Sequence, residues 1–312
     1  MRSRYLKNKN QPFCDFFKGW VEVYKRGAIA AVTLNKYLMT QRRLAELAPD
    51  LTLAQLDRRN YQEILNQYAL THEKQTTLDF HRQLRSCILD AIDDGILTVD
   101  PTRKATIKGR VAAERKMKYL NCSELSSLLK VLELGNVPSW DWFILLVAKT
   151  GMRFAEALAF APGDLEVSAG QIRIWHTWNY KSPLGGFAST KNTNSVRSVA
   201  IDALLGDQLE KLAVDRAPAE PMFVAGRIFN SQVNDRLAEL CRRAGVPVIS
   251  VHGLRHTHAS ALLHAGVSIA SIAKRLGHAN ITTTQQTYLH IIRELEDKDN
   301  DKVISYLETL AK

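Results

Sequence analysis

Arg153, Lys191, His252, Arg255, His278 and Tyr288 have the types and order needed to act on a phosphate ester. His252 and Arg255 stand in an H-x-x-R spacing, His278 follows Leu276-Gly277 at an expected helix end, and Tyr288 lies ten residues beyond that histidine. A tyrosine hydroxyl, with a reference pKa near ~10, is a poor nucleophile at neutral pH unless a neighbour takes its proton or a positive field favours phenolate. Two arginines supply such a field. Their guanidinium forks bind non-bridging phosphate oxygens bidentately and stay charged as negative charge builds up at phosphorus. A lysine or histidine near the phosphate suits the proton that a leaving 5′-hydroxyl needs. A phosphodiester is the substrate this set fits, and the chemistry calls for no metal or nucleotide cofactor.

The elements around these residues are readable from periodicity and caps. Asn121-x-x-Glu124 forms a capping box opening a helix through Leu134, and Ser139 caps the apolar segment Trp140 to Ala148, which delivers Arg153 just past Gly151. From Gln171 to Ile201 the pattern changes to strands: QIRIWHTW alternates, and VRSVAI alternates again beyond a polar, glycine-containing loop that holds Lys191. A helix from Ser231 to Ala244 follows, stopped by Gly245. After Gly253 the spacing predicts a helix to about Ala265, a Gly266 stop, and a second helix on Ile269, Ile272, Ala273 and Leu276 that ends at Gly277. Glu156, one turn beyond Arg153, either buttresses that arginine or is a helix-surface charge.

In these boxes the sequence resembles the tyrosine recombinases, the phage integrase family. H-x-L-R-H-T-x-A-S is matched by His252 to Ser260, L-G-H by Leu276 to His278, and T-T-x-x-x-Y-x-H by Thr283 to His290. The first-arginine box is matched by Thr150 to Leu158, and Lys191 sits where the family's β-hairpin lysine does, with Asn192 in place of the usual threonine. The resemblance spans roughly Asn121 to Ile292, and more loosely the N-terminal third. It implies that Tyr288 attacks a scissile phosphate to leave a 3′-phosphotyrosyl link and a free 5′-hydroxyl. By the same resemblance Arg153 and Arg255 bind the phosphate, Lys191 protonates the leaving oxygen, His252 accepts a proton, and His278 donates a hydrogen bond to the phosphate. Double-stranded attachment sites, a homotetramer on paired sites and an accessory DNA-bending or directionality factor are the partners it implies. An integrase of a phage or mobile element is the favoured role, with a chromosome-dimer resolvase as the alternative. Integrases often carry an extra N-terminal arm-binding domain, for which only about a dozen residues precede the first expected helix here.

The expected fold is mainly α with a small β-sheet (α+β), in two domains, residues 1–110 and 111–312. Phe13 to Tyr24 reads as a helix aromatic on more than one face; Thr33 is expected to cap a second helix, Asp57 a third, and a fourth runs from about Thr77 to Gly95. Asp100-Pro101 breaks helix. The net charge is +10 over 312 residues. Residues 1–118 carry 22 − 13 = +9 and residues 119–312 carry 20 − 19 = +1, so the excess lies in the N-terminal third. Such asymmetry fits a polyanion partner. By resemblance the N-terminal part is a helical, core-type DNA-binding (SAM-like) domain, with Arg42, Arg43, Arg103, Lys104, Lys108, Arg110 and Lys116 as DNA-contacting residues. The last five belong to a basic linker, which adds phosphate contacts and salt-dependent affinity.

Other readings account for parts of the pattern. A helix-turn-helix regulator without chemistry explains the charge and the helices but leaves H-x-x-R, Arg153 and Tyr288 as coincidence. Histidine density (His252, His256, His258, His264, His278 and His290) raises zinc, yet neither H-E-x-x-H spacing nor an added carboxylate accompanies it. His256, His258, His264 and His290 are therefore read as core or surface histidines, with no metal. Cys14, Cys87, Cys122 and Cys241 are scattered, as reduced packing thiols are. With no long apolar run and no signal-like N-terminus, a cytoplasmic location is expected. Beyond Tyr288, the polar run ELEDKDND precedes an apolar stripe of Val303, Ile304, Leu307 and Leu310, which either folds back on its own domain or, as the family resemblance implies and is expected here, docks on a neighbouring protomer.

Overall fold

The computed structural model describes residues 9–111, 119–190, 193–282, 284–288 and 307. The chain is mainly helical, with two small antiparallel sheets. It divides into two compact units, Met1–Arg115 and Lys116–Lys312.

The first unit is a helical bundle. Helix α1 (Phe13–Tyr24) turns Phe13, Phe16, Phe17, Trp20 and Val21 to one buried face, because i, i+3, i+4, i+7 and i+8 share a side of a helix. The expectation of aromatics on more than one face is thus corrected: of the four rings besides the half-exposed Tyr24, all point inward. They pack on Leu44 of α2 (Ala31–Leu47), Tyr61, Ile64 and Leu65 of α3 (Arg58–Ala69), and Phe80, Leu84 and Ile88 of α4 (Lys74–Asp93). Asp57 caps α3, accepting from Asn60 N at 2.7 Å. Thr33 does not cap α2. That helix starts at Ala31 behind Ala30, with Thr33 in its first turn, since alanines begin a helix at little cost without a side-chain cap. Helix α4 likewise starts at Lys74, three residues before Thr77, whose hydroxyl bonds back to Glu73 O at 3.3 Å.

The second unit is built around α6 (Trp140–Thr150), which is buried on almost every side from Trp142 to Ala148. Ser139 caps it as the sequence predicts. Helices α7 (Phe154–Ala159), α9 (Asn230–Arg243) and α10 (Val251–His264) pack against it. The Asn121–Glu124 capping box opens α5 (Cys122–Lys130), but α5 stops short of Leu134 because Glu133 N leaves the helix to donate to Asp141 Oδ2 at 2.8 Å.

Strands β1 (Leu165–Glu166), β2 (Gln171–Ile174) and β5 (Arg197–Ala200) form one antiparallel sheet, in the order β1-β2-β5 with Ile172 opposite Val199 and Ile174 opposite Arg197. QIRIWHTW is not one strand. It breaks after Ile174, and β3 (His176–Trp178) pairs with β4 (Phe187–Ser189) in a separate hairpin. The cause is Asp164: Trp175 Nε1 donates to its Oδ1 at 2.7 Å and His176 Nε2 meets its Oδ2 at 3.0 Å. Successive side chains gripping one carboxylate cannot keep the alternation of a pleated strand. Beyond β5 the chain runs through α8 (Ala203–Leu212), α9, α10 and α11 (Ile269–Leu276). Helix α9 begins one residue before the expected Ser231, at Asn230, because Gln232 reaches back to Phe229 N at 2.9 Å. Ser250 caps α10, accepting from Gly253 N at 3.2 Å, so His252 lies inside the helix rather than ahead of it.

Candidate active site

Two helices end at the same place. Helix α6 stops at Gly151 (φ +70°) and α11 at Gly277 (φ +67°), both left-handed, which glycine adopts without the penalty that a Cβ brings. Space enforces the choice too: a Cβ on Gly151 would lie 2.7 Å from the His258 ring, and one on Gly277 would lie 3.0 Å from Arg197 Nη1. The last carbonyls of a helix lack partners within it and carry the negative end of its dipole. Here guanidinium groups satisfy them.

Arg255, on α10 and 3% exposed, donates from Nη1 to Gly151 O at 2.7 Å and from Nη2 to Leu276 O at 2.5 Å, bridging the two helix ends. Arg153 Nη2 reaches Gly277 O at 2.9 Å, and Arg197 Nε reaches Arg275 O at 2.6 Å. Three successive carbonyls of the α11 end thus each face a different arginine. On the α6 side, Arg275 Nη2 donates to Lys149 O at 3.1 Å and its Nε to His258 Nε2 at 2.8 Å. His258 must then carry its proton on Nδ1, which donates to Ala148 O at 2.9 Å. Burial, with the charge of Arg275 behind it, pushes this imidazole down to about 4, so it is neutral. The expectation of a core histidine fits His258.

Glu156 balances the cations. Its Oε1 accepts from Arg153 Nη1 at 2.7 Å and from Arg197 Nη1 at 3.2 Å; its Oε2 accepts from Arg197 Nη2 at 2.9 Å and from Arg153 N at 2.8 Å. Burial alone would raise this carboxyl, but the hydrogen bonds and charge of Arg197, with the charge of Arg153, hold it at about 2. The Arg153 side chain remains 36% exposed, against 5% for Arg197, so it has an open side toward solvent. Burial and the charge of Arg153 push Arg255 down to about 9, and it remains a cation at neutral pH.

Tyr288 lies in a helical segment over residues 284–288 and is 2% exposed, packed with Ala259, Leu263, Ile272 and Leu276. Its hydroxyl is 2.9 Å from His256 Nδ1. Burial pushes the phenol up to about 12 while the charge of Arg255 pulls the other way. His278 Nδ1 lies 2.6 Å from Thr284 Oγ1, and burial followed by the charges of Arg255 and Arg153 lowers its imidazole to about 4. His252 is exposed, one turn before His256, the two rings edge to face at 4.7 Å.

The fold therefore gathers Arg153, Glu156, Arg255, His278 and Tyr288 around the Leu276-Gly277 helix end, with His252 beside them on α10. Lys191 lies outside the described residues, as does Lys116. Of the basic candidates in the first unit, Arg42, Arg43, Arg103, Lys104, Lys108 and Arg110 are exposed, and Arg43 pairs with Glu46. The tail residues Val303, Ile304 and Leu310 also lie outside the described residues.

Sequence reasoning missed Arg197, Arg275 and His256. Arg197 was findable: it shares the inward face of β5 with Val199, and a charge at an apolar position of an alternating strand needs a buried partner. His256 reads in the sequence as a core or surface residue, whereas the structure sets its ring against the Tyr288 hydroxyl. Among the described residues, no cluster of three or more His, Cys, Asp or Glu side chains could hold a metal ion, and no helix is long and apolar enough to cross a membrane.

Residues 118–294 match the model of the phage integrase family. The chain is 29% identical over 226 residues to the integrase of Staphylococcus phage L54a, a match covering 64% of each protein. It is 31% identical over 219 residues to tyrosine recombinase XerC of Vibrio vulnificus (strain YJ016), covering 67% of this chain and 63% of that one. The matches thus span less than two thirds of these relatives' lengths. In fold, the chain is similar to the Tn1549 transposon integrase in complex with transposon right end DNA, with a TM-score of 0.74, 16% identity, and coverage of 89% of this chain and 95% of that one. With more than half of its length matched by the family model, the chain belongs to the phage integrase family.

Proposed function

We propose that this chain is a site-specific DNA recombinase that cuts and rejoins strands through a 3′-phosphotyrosyl intermediate, in the service of integrating or excising a phage or mobile element. The observation that carries the reading is the meeting of a tyrosine hydroxyl with an arginine cluster at one helix end: Arg255 bonds Leu276 O, Arg153 bonds Gly277 O, and the charge of Arg255 acts on the Tyr288 phenol.

Each residue has a role that its chemistry supports. Tyr288 attacks phosphorus. Arg153, open on one side and held by Glu156 on the other, binds a non-bridging oxygen together with Arg255, which keeps its charge although buried. His278, neutral, donates to the phosphate. The leaving 5′-oxygen takes its proton from Lys191. An imidazole of α10, where His252 and His256 stand one turn apart, receives the phenol proton. Because the phosphotyrosyl ester keeps the phosphodiester's bond energy, a 5′-hydroxyl from another duplex reverses the attack, and no ATP is consumed.

Its DNA substrate is a pair of attachment sites held by a homotetramer in the cytoplasm, with an accessory DNA-bending or directionality factor setting the outcome. In this reading residues 1–110 grip the duplex from one side, through Arg42, Arg43, Arg103, Lys104, Lys108 and Arg110, and residues 111–312 carry the chemistry. The affinity of such contacts falls steeply with salt.

The test is a nicked duplex carrying the chain's own attachment site. Wild type is expected to give a denaturant-resistant protein–DNA adduct, whereas Tyr288→Phe binds within a few fold and gives none. Adducts that persist in Tyr288→Phe would move the nucleophile elsewhere.

A further inference from the structure

We propose that His256, one residue beyond the buried Arg255, is the catalytic base for Tyr288, taking the phenol proton through Nδ1 as the phosphotyrosyl bond forms. The proposal rests on the recombinase reading and assigns within it a role that the family resemblance gives to His252.

Three observations carry it. First, the imidazole hydrogen-bonded to the nucleophile's oxygen is that of His256, whose Nδ1 lies 2.9 Å from Tyr288 Oη, the reach a base needs. In the Nε2–H tautomer its Nδ1 is the acceptor and the phenol the donor. His252, four residues earlier on the same helix, is exposed and stands edge-on to the His256 ring rather than between it and the phenol.

Second, His256 is held on both sides. Arg255 is anchored by its bonds to Gly151 O and Leu276 O, and Thr257 Oγ1 donates to Gly253 O at 2.9 Å while accepting from Leu120 N at 2.9 Å. A base flanked by two pinned neighbours keeps its position while the phenol reacts, which is the preorganisation catalysis needs. Third, Tyr288 needs a base. Its hydroxyl is out of water, and burial holds its proton more tightly than in a free tyrosine.

The step balances. The Tyr288 Oη–P bond forms as the P–O5′ bond breaks; the phenol proton passes to His256 Nδ1, giving an imidazolium, and the 5′-oxygen takes its proton from the donor assigned above to Lys191. In rejoining, the 5′-hydroxyl attacks, Oη leaves, and the imidazolium returns its proton.

The bland alternative is that His256 merely satisfies a buried tyrosine hydroxyl. Asparagine separates the two, because its side-chain oxygen can accept the same hydrogen bond but cannot take the proton. Single-turnover adduct formation on the nicked duplex is measured for wild type, His256→Ala and His256→Asn, with Tyr288→Phe as the blank. Duplex binding and thermal melts show that each variant is folded. We expect both His256 variants to bind like wild type but to react ~10²-fold or more slowly, the contribution typical of a positioned base. Imidazole added to the buffer should restore part of the His256→Ala rate, in proportion to its free-base concentration. A rate within about threefold of wild type in either variant overturns the proposal, as does a slow His256→Ala that imidazole leaves unchanged. A wild type that forms no adduct sinks the recombinase reading itself; adducts from wild type with His256→Asn at full speed sink only this assignment.

Discussion

The guanidinium of Arg197 meets the carboxylate of Glu156 side-on, through Nη1 at 3.2 Å and Nη2 at 2.9 Å, and both side chains are almost wholly buried. The other donor on that carboxylate is Arg153, so the geometry of the arginine proposed to bind phosphate depends on a pair almost wholly shielded from solvent. Glu156→Gln removes the negative charge and leaves Arg197 uncompensated in the interior. Breaking one partner of a buried pair costs about 3–5 kcal/mol, so urea denaturation should show a loss of that size, together with a marked fall in adduct formation. Wild-type stability in this variant would mean that the pair does not hold the site.

Arg153→Lys and Arg255→Lys keep a positive charge but lose the planar fork. Each should slow adduct formation by ~10²-fold or more, as removal of one preorganised donor does. Arg255→Lys also strips Gly151 O and Leu276 O of their partners, so it should melt earlier than Arg153→Lys, a difference readable by calorimetry. Near wild-type cleavage by either would show that this arginine does not bind the scissile phosphate.

Acid should weaken the fold in two stages. Glu156 is held at about 2 against an ordinary 4.5, so its contribution is complete above 4.5 and is lost as pH falls toward 2. His258 is held at about 4 against 6.5; its neutral form is the native one, and its contribution is complete above 6.5 and lost as pH falls toward 4. Chemical denaturation from pH 7 down to 2 should therefore show an earlier decline, to which His278, also held at about 4, contributes and which His258→Gln reduces, and a later one that Glu156→Gln flattens. A stability profile unchanged by either substitution would refute the linkage.

Gly151→Ala puts a side chain at φ +70° with its Cβ 2.7 Å from His258. The left-handed backbone and the forced contact together should cost on the order of 2–4 kcal/mol. Gly277→Ala meets Arg197 Nη1 and Asn194 O at 3.0 Å and should be of similar cost. A thermal shift within a degree of wild type in Gly151→Ala would show that the helix end yields more readily than its packing implies.

What could be read in the sequence was local. Asp57, Ser139 and the Asn121–Glu124 box act within a few residues of themselves, and Gly277 stops α11 where its own spacing says it should. Tyr288, Arg153 and Arg255, which meet at one helix end, were legible as candidates because their boxes have fixed spacings. Partners set by long-range contacts were not. Trp175 breaks its strand because of Asp164, Arg197 is buried because Glu156 lies 41 residues away in sequence, and His256 faces Tyr288 across 32 residues. No window short enough to show periodicity contains both members of such a pair.

Tyr288 rests out of water, 2% exposed, with its proton held by burial and its oxygen on an imidazole. A recombinase that floated with a ready phenolate would be a nicking hazard to every duplex it brushed against. On the proposed reading, a nucleophile stowed in this way would stay idle toward passing phosphates until one is seated at Arg153. On the recombinase reading proposed above, the packing that makes this residue look like ordinary core would keep it from cutting DNA out of turn.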